Sequence, residues 1–258
     1  MAGLPFPPGG MILGPTRRGE RAPNHRQVGG GTAMRDYRLY SFWRSQAAYR
    51  VRIALHLKRV AATIVTVDFA SGEQRSETYR AINPNLSVPA LFVDDGAPLV
   101  SSLAILDYLE EVHPDPAILP EGPRDRAHAR ALAHAVAVDA HPFIVPRVRD
   151  YLEQQLGAGA AARAQWIRHW LDRGLDVAEA MLSGDARTGR FCLGGTPTIA
   201  DICLVAHITS AKMLFDYDLG RWPTAGHIYQ TCMTLPAFLE THPLRQPGAP
   251  SELEARLR

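Results

Sequence analysis

An α/β N-terminal domain followed by an all-α C-terminal domain is the fold class the sequence predicts. Three observations carry it. Short β-branched or aromatic segments alternate with helical ones from residue 37 to 113, in the order β-α-β-α-β-β-α. A proline-rich connector, HPDPAILPEGP, occupies 113–123. Beyond it nearly every segment has helical periodicity and no strand pattern returns, so the expected domains are 35–115 and 124–245.

The elements follow in order. YRLYSF (37–42) reads as a strand. AAYRVRIALHLK (47–58) puts Val51, Ala54 and Leu55 on one side and arginine and lysine on the other, the pattern of an amphipathic helix. ATIVTVDF (62–69) alternates and is β-branched, a second strand. A turn at Ser71-Gly72 leads into a short helix over 73–81. Residues 83–101 give loop, strand, turn, strand, with the turn marked by Asp94-Asp95-Gly96. SLAILDYLEEVH (102–113) is helical up to Pro114. After the connector, an alanine-rich helical pattern over 125–156 is interrupted at Pro142 and Pro146. Further helices are expected over 160–183 and 199–213, with shorter pieces across 224–242.

Composition bounds the function. A chain of 258 residues, 46 % apolar, can bury one large core or two small ones. A formal net charge of +2, from 28 basic and 26 acidic residues, gives no argument for nucleic acid. No apolar run reaches the roughly 18 residues a membrane span needs. Three cysteines, an odd number with no CxxC pair, argue against a disulfide framework or a zinc site, and favour a reducing, cytoplasmic compartment. Residues 1–34 are dense in Pro, Gly and Arg and are expected to form a disordered tail. Arg17-Arg18 lacks the apolar segment of an export signal behind it, and Met34 is an alternative start directly before the first strand.

Several local motifs have both a structural and a functional reading. Pro89 in SVPAL suits a strand entry; a cis bond there would expose the Val88 backbone to a peptide-like ligand. Ser101 and Ser102 open a helix, as a cap or as an anion site fit for a carboxylate. Thr198 with Asp201 forms a capping box, a folding signal. The ten histidines show no metal-ligand spacing, and no metal is expected; His141 sits before Pro142 at a helix kink and reads as structural. Trp166, Trp170 and Trp222 are expected in the core, and the cysteines in apolar helices are expected to be inert.

In their order these pieces resemble the glutathione transferase family, and more narrowly its zeta class, the maleylacetoacetate and maleylpyruvate isomerases. YSFWRSQAAYRVRIALHLK (40–58) is similar to the class signature, in which Arg-Ser-Ser-Cys-Ser-Trp precedes Arg-Val-Arg-Ile-Ala-Leu. INPNLSVPAL, SLAILDYLEE, HPFIVPRVRDYL, PTIADICLV and HPLRQPGAP follow in the family's order, so the likeness spans residues 35–250. It implies a thioredoxin-like domain, a helical substrate domain, a cleft between them and a homodimer. It also implies glutathione as cofactor and cis–trans isomerisation of maleyl keto acids in aromatic-ring catabolism.

By position, Ser45 falls on the catalytic serine that stabilises the thiolate, with Gln46 beside it. Val88, ahead of Pro89, would pair its backbone with the cysteinyl part of glutathione. Ser102, with Ser101, would take the γ-glutamyl carboxylate, and Gln74 matches a polar position that touches the cofactor. Arg44 and Arg147 match arginines brought toward substrate carboxylates. The chain departs from the class at Gln46-Ala47, at Ile144-Val145 and at Pro146. It departs also at Met213 and Leu214, where isomerases commonly carry an arginine. These departures keep two other readings open: a transferase conjugating or dehalogenating small electrophiles, and a non-catalytic binding protein of the same fold.

Overall fold

The computed structural model describes residues 35–254, and the expectations for the first 34 residues lie outside them. Strand β1 (Tyr37–Ser41) runs into helix α1 (Gln46–Leu57), then β2 (Thr63–Thr66), α2 (Glu77–Ile82), β3 (Ala90–Val93), β4 (Leu99–Val100) and α3 (Ser102–Val112), the expected order. The sheet order is β2-β1-β3-β4; β1 and β2 are parallel, and the other two pairs antiparallel. Alternation along β1 buries Tyr37, Leu39 and Ser41, and Leu39 pairs with Ile64 on one side and Leu91 on the other. The β3–β4 hairpin turns at Asp94, whose φ of 51° is a left-handed value that aspartate tolerates. The helix read over 73–81 is split: a 3-10 turn at Glu73–Arg75 ends at extended Ser76, whose hydroxyl accepts from the Tyr79 N–H and starts α2 anew.

The remainder is helical: α4 (Pro123–Ala137), α5 (Pro146–Gln154), α6 (Ala160–Ser183), α7 (Ile199–Phe215), α8 (Pro223–Met233), α9 (Pro236–Leu239) and α10 (Ser251–Glu254). The pattern over 125–156 breaks where its prolines stand. A 3-10 turn at His141–Phe143 separates α4 from α5, and Pro146 takes the first helical position of α5, where its missing N–H has no helical partner to lose. Helix α7 is the axis of this part, buried along most of its length and touching α1, α4, α6 and α8. The capping box that starts it forms as read: Asp201 accepts from the Thr198 N–H at 2.7 Å, and also from the Cys192 N–H at 2.8 Å. One continuous apolar cluster joins the two parts, from Leu39 and Ile53 through Leu204 and Val205 to Phe238.

Two expectations are corrected here. The arginines of α1 do not face water: Arg50 and Arg52 are 2 % and 3 % exposed, and Lys58 just past the helix is 4 % exposed. Helix α1 lies between α3 on one side and α7 on the other, so it has no solvent face to give them. Each is held by polar groups instead. Lys58 pairs with Glu110 at 2.7 Å and donates to the His113 and Pro116 carbonyls, tying α1 to α3. The second correction concerns tryptophan. Trp222 is core, stacked on Tyr217 and donating to Asp176, but Trp166 and Trp170 are only half-buried. Phe143 stacks on Trp170 at the surface, and Trp166 donates to the Phe143 carbonyl.

Candidate active site

A cleft of about 1100 Å³ opens where the C-terminal end of β1 and the N-terminal end of β3, antiparallel neighbours, meet the helical part. All nine residues singled out by the sequence line it: Arg44, Ser45, Gln46, Gln74, Val88, Pro89, Ser101, Ser102 and Arg147.

Ser45 stands at the junction of β1 and α1. Its backbone is extended (φ −69°, ψ 116°), and its Oγ accepts from the Ala48 N–H at 3.1 Å, so it is the N-cap of α1. That bond uses a lone pair of Oγ and leaves the hydroxyl proton free to donate into the cleft, at the positive end of the helix. The loop before it is fixed from below by Arg52. The Arg52 guanidinium donates to Ser41 Oγ at 2.9 Å, to the Trp43 carbonyl at 3.2 Å and to the Thr241 carbonyl at 3.2 Å. Burial lowers its pKa to about 9, with Tyr49 opposing, and it stays cationic at neutral pH.

Gln46 is buried beside Ser45, and its Nε2 meets His207 Nδ1 at 3.3 Å. His207 Nε2 meets the Leu171 carbonyl at 3.0 Å. Both contacts are satisfied by one neutral tautomer, with the proton on Nε2. Burial is the main reason the His207 pKa falls to about 4. The arrangement leaves Gln46 Oε1 buried without a donor, and Gln74 Oε1 is in the same position. Two unsatisfied acceptors on one cleft mark where a ligand's N–H or S–H groups fit.

The 83–89 loop brings Val88 to the rim. Asn83 Nδ2 and Tyr79 OH both donate to the Ser87 carbonyl, and the Val88–Pro89 bond is cis. Among the described residues the Val88 backbone makes no hydrogen bond within the chain. Ser101 takes the N-cap position of α3 with φ 72°, and its side chain makes no capping bond. A non-glycine residue held there is strained, and such strain gathers at ligand sites. Ser102 Oγ is buried and accepts from Arg50 Nη1 at 3.2 Å. Neither serine therefore caps α3 with its hydroxyl, and the helix N-terminus remains open to an anion.

Arg50 is the participant that sequence reasoning missed. It lies under the α3 N-terminus, lines the cleft, and has Nε and Nη2 buried without an acceptor. Burial lowers its pKa. It also helps hold His141 well below the ordinary histidine range, burial being the larger cause, so a neutral imidazole faces the cleft. In the sequence it was read with Arg52 and Lys58 as part of the polar side of an amphipathic helix, which hid its role. From the helical part come Arg147, Arg149, Met213 and Leu214. The three cysteines are elsewhere, free and buried, and burial pushes the Cys203 thiol up to about 11.

The comparisons with known proteins agree with this geometry. Residues 39–117 match the family model of the glutathione S-transferase N-terminal domain. The maleylpyruvate isomerase of Ralstonia sp is 40 % identical over 213 residues, 82 % of this chain and 99 % of that protein. The crystal structure of maleylacetoacetate isomerase from Methylobacterium extorquens AM1, with malonate and glutathione bound, is 46 % identical. It superposes with a TM-score of 0.80 over 83 % of this chain and 99 % of that one. The holo structure of a maleyl pyruvate isomerase, a bacterial zeta-class glutathione S-transferase, is 39 % identical with a TM-score of 0.78 over 83 % of this chain and all of that one (100 %). With a helix-capping serine, a cis-proline loop and an open α3 N-terminus on one cleft, and relatives matched along nearly their whole length, this chain belongs to the zeta class of the glutathione transferases.

Proposed function

We propose that the chain is a glutathione-dependent isomerase that converts maleyl keto acids, maleylacetoacetate or maleylpyruvate, to their fumaryl forms. The observation that carries this reading is the meeting of Ser45, Val88 and Ser102 with a set of arginines on one cleft. The cleft fits glutathione chemically. Orphaned Gln46 Oε1 and Gln74 Oε1 suit its N–H groups, and the α3 N-terminus over Arg50 suits its γ-glutamyl carboxylate. When bound, glutathione supplies a thiolate that adds to the cis double bond and leaves again once the resulting single bond has rotated.

The chain's own residues do the rest. Ser45 donates its hydroxyl proton toward the sulfur and, with the N-terminus of α1, lowers the thiol pKa from about 8.5. Val88 holds the cysteinyl backbone. Arg44 and Arg147 orient the substrate carboxylates and offset the negative charge that develops next to the reacting carbon. In this reading residues 35–115 hold glutathione and 124–245 form the substrate wall. On the same reading the protein works in the cytoplasm, in line with its three free, buried thiols, and as the homodimer the resemblance implies.

A second reading has one specific support: Met213 and Leu214 give part of the substrate wall an apolar surface, which suits a transferase acting on small electrophiles. A single assay separates the two. Maleylpyruvate and maleylacetoacetate are followed by absorbance with glutathione at a small fraction of the substrate concentration. The isomerase gives many turnovers per glutathione with none consumed. Conversion that stops when glutathione is exhausted, with a thioether product, establishes the transferase in its place.

A further inference from the structure

The cleft carries a strong charge imbalance. Among the described residues six arginines line it, Arg44, Arg50, Arg75, Arg80, Arg147 and Arg149, against one carboxylate, Asp150. Asp150 is already engaged, paired with Arg75. Arg50 donates to Ser102 through Nη1, and its two buried, unpaired nitrogens lie beneath the α3 N-terminus already assigned to the cofactor carboxylate. Arg149 is not accounted for. It sits on α5, two positions after Arg147, so the two side chains leave the helix about 200° apart. Both line the cleft, Arg147 exposed and Arg149 more deeply set. Arg149 is half-buried, its Nε is buried with no acceptor, and its side chain makes no hydrogen bond or ion pair among the described residues. Burial chiefly, and then the charge of Arg44, lower its pKa; Asp150 opposes the shift. Arg44 is exposed by surface area, yet enough protein surrounds its guanidinium for burial to lower its pKa too.

Two guanidinium groups that line one cleft, neither of them ion-paired with a protein carboxylate among the described residues, raise the free energy of the empty site. An incoming carboxylate relieves both. Resting on the isomerase reading above, we propose that Arg149, together with Arg44, binds one carboxylate of the substrate, and that Arg149 sets the preference for dianionic over monoanionic compounds. Met213 and Leu214 then form an apolar wall along the carbon skeleton, and the charge they do not provide comes from α5.

The test needs no turnover. Succinate and butyrate share a four-carbon skeleton, differ by one carboxylate and have no double bond to react. Their binding to the glutathione-loaded protein is measured by titration calorimetry for the wild type, Arg149→Leu and Arg149→Lys. The wild type is expected to bind succinate at least about 10-fold more tightly than butyrate. Arg149→Leu is expected to lose about 10-fold for succinate while butyrate and glutathione stay within about 2-fold, and Arg149→Lys to regain part of the loss. Equal losses for both acids, an unchanged succinate affinity in Arg149→Leu, or no discrimination by the wild type would overturn the proposal. Failure of the isomerase reading shows separately, as absent turnover in a protein that still discriminates the two acids.

Discussion

Ser45 joins two jobs in one hydroxyl. As N-cap of α1 it stabilises the helix, and its proton is left for the cleft. Ser45→Ala is therefore expected to lower stability by about 1 kcal/mol in a thermal melt and to lower kcat by about 100-fold or more, as loss of a single aimed donor does elsewhere. Arg52 acts through position alone. It reaches no ligand, but it holds Ser41, Phe42 and Trp43, the segment that leads to Arg44 and Ser45. Arg52→Met leaves those acceptors buried and unpaired. A loss of about 3 kcal/mol in chemical denaturation is expected, with a fall in glutathione affinity.

At the scale of elements, two close contacts hold helices together, one in each part of the chain. Gly174 lies midway along α6, where a Cβ would stand 2.8 Å from His207 Nε2 and 2.9 Å from Ala140 Cβ. Gly174→Ala is expected to destabilise by about 1–3 kcal/mol despite alanine's better helix propensity, measured by urea midpoint. Lys58 and Glu110 join α1 to α3, and Glu110 also accepts from the Ile118 N–H. Lys58→Met strands a buried carboxylate and is expected to cost about 3–5 kcal/mol by the same measurement.

These elements also show which parts of the structure were legible in the sequence. Val88-Pro89 and Ser101-Ser102 stand at the ends of elements and had local signals, a strand-entry proline and hydroxyls at a helix start, whereas Ser45 was placed by the resemblance to the family signature. Their convergence on one cleft was implied by the resemblance and not by the local signals. The roles of Arg50, Arg52 and Arg149 had no such signal. Their burial comes from α1 being covered on both faces and from the turn of α5, which only tertiary packing reveals. Trp166 and Trp222 show the same limit: both were expected in the core, but only Trp222, stacked on Tyr217 at the start of α8, is buried.

Across the whole molecule, the buried neutral histidines link the interior to pH. His207 and His242 are both buried, and burial is the main cause that lowers each pKa from 6.5 to about 4. The folded chain thus binds fewer protons than the unfolded chain between those values. Stability is full above about pH 6.5 and falls as pH drops toward 4. For His207 alone, a shift of about 2.5 units is worth roughly 3 kcal/mol across that window. Thermal melts from pH 7 to 4 should show this loss, and His207→Gln should flatten it.

Above that stability threshold, the central claim is chemical: Ser45, at the meeting of a strand and a helix, makes a thiolate of bound glutathione. The direct measurement is an ultraviolet pH titration of the thiolate absorbance of glutathione bound to wild type and to Ser45→Ala. A thiol pKa well below about 8.5 in the wild type, returning toward that value in the variant, is the expected result. The same pKa in both proteins, with glutathione bound in each, would contradict the assignment of Ser45 to the sulfur.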